Sequence, residues 1–355
     1  MEYLLLDTSM TAVSVIDNFN SIIWTERYYE AGDFVLHLPA STSLVEALCI
    51  DRYIWSGASK TLMIIEKQQL KEDTVDADYL TVTGRSLISI LDRRIVWKQT
   101  ILETNLEASV ERLLNENAIN PTDTKRKIPN LIFRKSGDSR ITAIKIDTQF
   151  TGTNLYDAIY NLCVVSGVGI SMFPEGSNIV FQLYMGQDRT YDQTTHPYVA
   201  FSHEFENLIS SEYVDDIQYL KYVALIAGSD EGEGHKVTNI GDSSGLTRRE
   251  LYVDARDISA EFEGTPIPAA LYIELLKSRG TEKLEENTRD ISVTGEVEDG
   301  RTFKFNKDYF IGDKVSLLSG YGIESVTRVI EMIYTQSVGD VSLIPTFILE
   351  EGSDE

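Results

Sequence analysis

Histidine, carboxylate or serine chemistry has few places to arise in this chain. Its four histidines are His37, His196, His203 and His235. His203-Glu204 opens like a zinc-protease helix, in which a second histidine four residues on would share the same face. Position 207 is Asn207, so that second ligand is missing. His37 falls in an alternating strand, where a packed or solvent-facing ring is the default. Asp230, Glu231, Glu233, His235 and Asp242 would gather oxygen ligands for calcium, but the register of an EF-hand loop is absent. A solvated acidic loop is expected there. Gly241-Asp242-Ser243-Ser244-Gly245 matches the Gly-x-Ser-x-Gly pattern, yet a nucleophile elbow needs a buried strand before the serine and a helix after it. Here the flank is polar, and no histidine follows Ser243. The carboxylate pair of a glycoside hydrolase is defined by spatial separation, which an acidic sequence leaves open. No phosphate loop, dinucleotide fingerprint or Cys/His metal spacing occurs. The expectation is a non-enzyme with no catalytic, metal or cofactor-binding residue.

The elements that would have to position any site follow from composition and pattern. A chain of 355 residues holds two or three domains of ordinary size, and 42% hydrophobic residues is a globular fraction. Against 32 Lys+Arg stand 56 Asp+Glu, a net charge of -24 that repels a phosphate backbone. The one basic cluster, Lys125-Arg126-Lys127, lies between Pro121 and Pro129 and reads as a solvated loop. Such a charge suits a conduit through which DNA passes without sticking. Cys49 and Cys163 are too few for a disulfide framework and read as buried free thiols. No apolar run approaches the roughly 20 residues of a membrane span. The N-terminus lacks the basic segment of a secretory signal, so a soluble protein made in the cytoplasm is expected.

Residues 1–100 read as short strands: Leu4–Leu6, Thr11–Ile16, Ser21–Arg27, Phe34–Leu38 ended by Pro39, Leu62–Leu70 and Tyr79–Thr83. A helix over Leu44–Cys49 is capped by Ser41 or Thr42. Thr104-Asn105-Leu106-Glu107 has the form of a capping box, and Leu106, Val110, Leu113 and Leu114 then share one helix face. A second helix runs from near Thr153 through Leu155, Ile159 and Leu162 to Gly167. Strands follow at Gly169–Phe173 and Asn178–Tyr184. Residues 228–245, rich in Gly and acid, are expected to be a flexible loop. Pro266 behind Thr265 predicts the start of a third helix, with Gly280 its weak point. Strands resume over residues 290–350.

The two ends of the chain echo one another. Gly32-Asp33 precedes the alternating Phe34-Val35-Leu36-His37-Leu38, and a later strand, Leu62–Gln68, carries Glu66. Gly312-Asp313 precedes Lys314-Val315-Ser316-Leu317-Leu318, and the later Arg328–Tyr334 carries Glu331. Its position at both ends of the chain, with helical domains between, predicts a duplicated barrel.

These residues resemble a known family. Trp24–Pro39, Met63-Ile64-Ile65-Glu66 and Gly84-Arg85-Ser86-Leu87 are similar to the N-terminal part of siphophage tail-tip hub proteins, the family that includes the N-terminal part of tail-associated lysins. Asp308–Val315 with Arg328-Val329-Ile330 resembles that family's closing barrel. The resemblance covers most of the chain and is thin from about residue 120 to 260. It implies a fold like the central hub of contractile phage baseplates and the type VI secretion spike.

The resulting expectation is an α+β, mostly β chain with two similar β-barrel tube domains at its ends and α+β domains inserted between them. The expected boundaries are 1–100 for the first barrel, 101–205 for an α+β domain, and 206–227 for strands joining the second barrel. A peripheral loop-and-helix domain over 228–289, the second barrel over 290–349 and a disordered acidic tail over 350–355 complete the chain. The resemblance further implies a homotrimer forming a pseudo-sixfold ring in the virion tail tip. Its partners would be the distal tail protein, tail tube and tape-measure proteins, and tail fibre or receptor-binding proteins, with DNA only as passing cargo. Lytic or host-binding parts would lie on another polypeptide. Competing expectations are a host cell-wall hydrolase or carbohydrate-binding module, and a distal tail ring protein with one barrel. The functional residues expected are interfacial: Trp24, Arg27, Tyr28, Phe34 and Tyr309 supply aromatic or Arg anchors between subunits, or else fill the core of their own domain.

Overall fold

A computed structural model describes residues 2–72, 78–228, 237–262, 265–297, 300–318 and 324–349. The chain divides into two compact units, the first formed by Met1–Ser89, Gly169–Val214 and Ser292–Glu355, the second by Ile90–Val168 and Asp215–Ile291. The first unit opens with β1 (Tyr3–Leu6), β2 (Ala12–Ile16), β3 (Ser21–Arg27), β4 (Asp33–Pro39), α1 (Thr42–Ala47), β5 (Tyr53–Ser56), β6 (Leu62–Lys71) and β7 (Tyr79–Ser86). The second unit begins with β8 (Thr100–Asn105), α2 (Leu106–Leu114), β9 (Leu131–Arg134), α3 (Ser139–Ala143), β10 (Lys145–Phe150) and α4 (Leu155–Val165). The chain returns to the first unit for β11 (Gly169–Glu175), β12 (Asn178–Tyr184), β13 (Asp188–Arg189), β14 (Ala200–Ser202) and β15 (Leu208–Asp216). It then supplies the second with β16 (Val223–Ala227), β17 (Val237–Ile240), β18 (Glu250–Asp254), β19 (Glu261–Phe262), β20 (Thr265–Pro266) and α5 (Ala269–Glu285). The first unit closes with β21 (Asp290–Val297), β22 (Lys314–Leu318), β23 (Glu324–Ser337) and β24 (Asp340–Leu349).

Alternation makes the strands of the first unit. In β4, Phe34, Leu36 and Leu38 are buried while Val35 and His37 are only half-buried, the period of two that puts one face on a core. The main sheet has 14 strands, with the path β15-β21-β24-β23-β3-β4-β7-β6-β5-β1-β2 and β22 branching from β23 to β13 and β14. The two β-barrels expected at the chain ends are not formed: among the described residues no sheet closes on itself. The reason lies in the pairing. β3 joins β23 antiparallel from Arg27↔Glu331 to Ser21↔Ser337, so the edge that would close the N-terminal strands binds the C-terminal ones instead. Alternating burial is the same in a barrel and in an open sheet, so pattern alone could not separate them. The α+β, mostly β class stands.

Two apolar clusters lie in this unit. Tyr3, Leu5, Trp24, Phe34, Leu36, Ile65 and Val82 belong to the first, and Tyr28, Phe201, Tyr309, Val315, Val329 and Phe347 to the second. Tyr334 packs against both. Tyr28 is fully buried, and its ring is held between two glycines. A β-carbon on Gly169 would lie 2.1 Å from the ring, and one on Gly312 2.4 Å from it. Gly312 also adopts φ +95, which side-chain-bearing residues rarely tolerate.

In the second unit four expectations shift. The cap of α2 is Asn105, whose Oδ1 accepts from the Ala108 N–H at 2.9 Å, not Thr104. Glu107 turns away to accept from the N–H and hydroxyl of Ser136, both at 2.6 Å. α5 starts at Ala269 because Thr265–Pro266 is taken up by pairing with Glu261–Phe262. Gly280 does not weaken α5; its missing side chain lets the helix approach Ile226 and Ile240, which a β-carbon would meet at 2.6 and 3.1 Å. Of the loop expected over residues 228–245, Val237–Ile240 is a strand paired with β16. Asp230, Glu231, Glu233, His235 and the tail 350–355 lie outside the described residues.

Candidate functional site

The charged residues of the Gly-Asp echo hold strands together. Asp313 accepts from Arg189 Nε at 2.7 Å, from the Gln187 N–H at 2.7 Å and from the Phe310 N–H at 3.1 Å, with its side chain 3% exposed. Arg27 donates to Asp33 and Glu331, both at 2.6 Å, and so ties β3 to the strands on either side of it. Arg85 grips Glu66 through two bonds, at 2.8 and 3.0 Å. Each carboxylate therefore has a guanidinium partner, a geometry suited to two-pronged pairing.

The five residues expected at an interface all fall in the first unit. Trp24, Tyr28, Phe34 and Tyr309 are buried in its two clusters, and Arg27 is half-buried between its two acids. The register brings Trp24 and Phe34 into one cross-strand row, Val297–Leu343–Tyr334–Trp24–Phe34, running over β21, β24, β23, β3 and β4. Glu26, two residues along β3, shares that face and stands opposite Met332. Above this face lies a cavity of about 820 Å³, walled also by the 56–59 loop and by Lys304–Lys307. Trp24 Nε1 donates to Glu26 Oε1 at 3.2 Å, and burial pushes the Glu26 carboxyl above its ordinary value of 4.5, against the polar groups of Ser59 and Trp24 and the positive charge of Lys60, which pull it down.

That shift has a signed consequence. The unfolded chain loses the Glu26 proton near 4.5 whereas the folded chain holds it to higher pH, so rising pH favours unfolding until both forms are ionised. Glu26→Gln is therefore expected to be more stable than the parent at pH 7 and equal to it near pH 4. Urea unfolding at the two pH values reads the difference.

The exposed features are two strand edges. β2 ends the sheet with Val13 and Val15 at 50% and 57% exposure. β15 ends it on the other side, nine residues long, with Ile209, Tyr213 and Val214 exposed. Sequence reasoning placed a strand over Thr11–Ile16 and strands within 206–227 but did not foresee that these would be exposed edges, because neither shows the buried alternation that marks β4. Val-Ser-Val and Ile…Tyr-Val are β-formers, which marks a strand but not which strand the fold leaves at an edge.

The remaining chemical candidates stay apart. His37 Nδ1 meets Thr81 Oγ1 at 2.9 Å and His203 Nε2 meets Ser211 Oγ at 3.2 Å. Among the described residues no group of three His, Cys, Asp or Glu is placed to hold a metal ion, and no helix is long and apolar enough to cross a membrane. Both cysteines are free, Cys163 fully buried in α4 and Cys49 half-buried. Burial pushes the Cys163 thiol far up. In native protein Cys163 is expected to resist an aromatic disulfide reagent, while Cys49 reacts. Two equivalent reactive thiols before denaturation would contradict this.

Residues 2–347 match the family described as Siphovirus ReqiPepy6 Gp37-like protein. The chain belongs to that family. It is a siphovirus-type tail protein. No curated protein sequence matches the Gp37-like chain. Its fold is shared with solved tail proteins. A tail protein from Neisseria meningitidis MC58 aligns over 99% of this chain and 98% of its own, with TM-score 0.56 and 13% identity. The prophage MuSo2 43 kDa tail protein from Shewanella oneidensis aligns over 98% of each chain, with TM-score 0.59 and 13% identity. Prophage tail protein gp18 from Listeria monocytogenes EGD-e aligns over 99% and 96%, with TM-score 0.54 and 13% identity.

Proposed function

We propose that the chain is a tail-tip (baseplate) hub, assembling as a trimeric ring that joins the tail tube and distal tail ring to the tip of the virion and lets DNA pass. The supporting observation is that the sheet is open, with an uncovered apolar edge at each end. Unpaired strand edges are templates for another chain. When the edge of one copy meets a different edge on the next, the contact is head-to-tail and closes into a ring where the rotation permits. The number three comes from the sequence resemblance. The net charge of -24 supports a conduit that does not retain DNA. Distal tail, tube, tape-measure and fibre or receptor-binding proteins are the neighbours this reading supplies.

With no barrel to count, ring symmetry is what separates the hub from a distal tail ring. A hub gives three times the 40.0 kDa chain mass, whereas a ring following a sixfold tube gives six. Val15→Lys on β2 and Tyr213→Lys on β15 each place a charge on an edge and are expected to weaken association by about tenfold or more. Mass photometry and far-ultraviolet circular dichroism read assembly and fold separately. Folded variants that assemble like the parent would rule out the edges as the contact.

A further inference from the structure

The cavity over the Trp24–Tyr334 row contains an acid, Glu26, whose one neighbouring opposite charge among the described residues, Lys60, lies beyond ion-pair distance. Glu26 points to the apolar face of β3, two positions from Trp24, and lines the cavity with Trp24, Met332, Tyr334 and Phe305. The Trp24 indole donates a hydrogen bond to it, with the Ser59 hydroxyl beside it. Among the described residues no Lys or Arg forms an ion pair with it, although Asp33, Glu66, Asp313 and Glu331 each have an arginine. A carboxylate on an apolar face is costly without a counter-charge. Aromatic rings beside it attract cations through their faces.

We propose that this cavity is a binding site for a guanidinium group, and that its occupant is an arginine side chain of another polypeptide. The planar guanidinium can lie against Trp24 or Tyr334 while bonding Glu26 with two N–H groups, a geometry an ammonium cannot reproduce. The cavity, at about 820 Å³, has room for the side chain and the backbone that carries it. The chain's charge of -24 makes a basic partner the complementary one for this acidic site. Glu296 also lines the cavity, where it accepts from Ser342 Oγ at 2.9 Å. Lys304 and Lys307 line the same cavity but are exposed, so their ammonium groups remain in water.

The test titrates the intact protein with acetyl-Gly-Arg-Gly-amide, with the citrulline tripeptide as a neutral isostere, and follows saturation-transfer NMR. Wild type is expected to bind the arginine peptide saturably and the citrulline peptide at least about tenfold more weakly, a difference of about 1.4 kcal/mol. Glu26→Gln, which keeps the shape of the side chain, is expected to remove that preference while remaining folded. Binding is also expected to fall as the pH drops through the raised titration of Glu26. No saturable binding to wild type, equal binding of the two peptides, or an unchanged preference in Glu26→Gln would each overturn the proposal. None of these outcomes depends on ring assembly, so the site and the hub reading stand or fall separately.

Discussion

Tyr28→Ala is expected to destabilise the first unit by about 3–5 kcal/mol, the range for deleting a fully buried aromatic ring. Its ring fills the slot that Gly169 and Gly312 leave open. It sits edge-on to Tyr29 and Tyr184, with ring centres 4.6 and 5.1 Å away, and Arg328 stacks over it at 5.5 Å. The backbone of Tyr28 is pinned too, its N–H to the Ile330 carbonyl at 2.8 Å and its carbonyl to the Ile170 N–H at 2.9 Å. Removal leaves a hole that these strands cannot collapse without breaking those bonds. Gly312→Ala attacks the same contact from the other side, adding a clash to an unfavourable φ. Urea unfolding in a Trp97→Phe background, so that fluorescence comes from Trp24 and Trp55 of the first unit, measures both. A loss under about 1 kcal/mol for Tyr28→Ala would mean the ring is not the keystone argued here.

Asp313→Ala is expected to cost a similar amount, about 3–5 kcal/mol, for an electrostatic reason. Asp313 is almost fully enclosed and its partner Arg189 is 13% exposed, so deletion strands a guanidinium where water cannot fully replace the carboxylate. It also leaves the N–H groups of Gln187 and Phe310 without their acceptor. Asp313→Asn keeps the shape and one acceptor, so about half that loss is expected. The salt dependence should be slight, because a buried pair is poorly screened. Asn as costly as Ala would show that the charge alone carries the effect, whereas Asn as stable as the parent would show that charge is not the operative element.

Legibility from sequence followed physical origin. Strands such as β3 and β4 were plain, because half-burial imposes a period of two on Ile22, Trp24, Phe34 and Leu36. The helix faces of α2 and α4 were plain for the same reason. What escaped were features set by distant partners. Val237–Ile240 is polar enough to pass for a loop and becomes a strand only by pairing with β16. Gly280 looked like a flaw until Ile226 was placed against it. The barrels failed because closure depends on which edge meets which, and β3 meets β23.

Of the site, the chemistry-bearing residues Trp24, Arg27, Tyr28, Phe34 and Tyr309 could be named from type and position. Their partners could not, since Glu331 lies 304 residues from Arg27. The acid Glu26 drew no notice in sequence, and only the register that seats it opposite Met332 reveals an inward carboxylate. The exposed edges of β2 and β15 were silent because exposure is defined by what the fold leaves uncovered.

Class-averaged electron micrographs of the purified chain, at concentrations up to about 100 µM so that weak association is populated, test the central claim most directly. The account predicts threefold rings with a central hole, lost in Val15→Lys and Tyr213→Lys. Compact single subunits at every concentration, or rings of another symmetry, would contradict it.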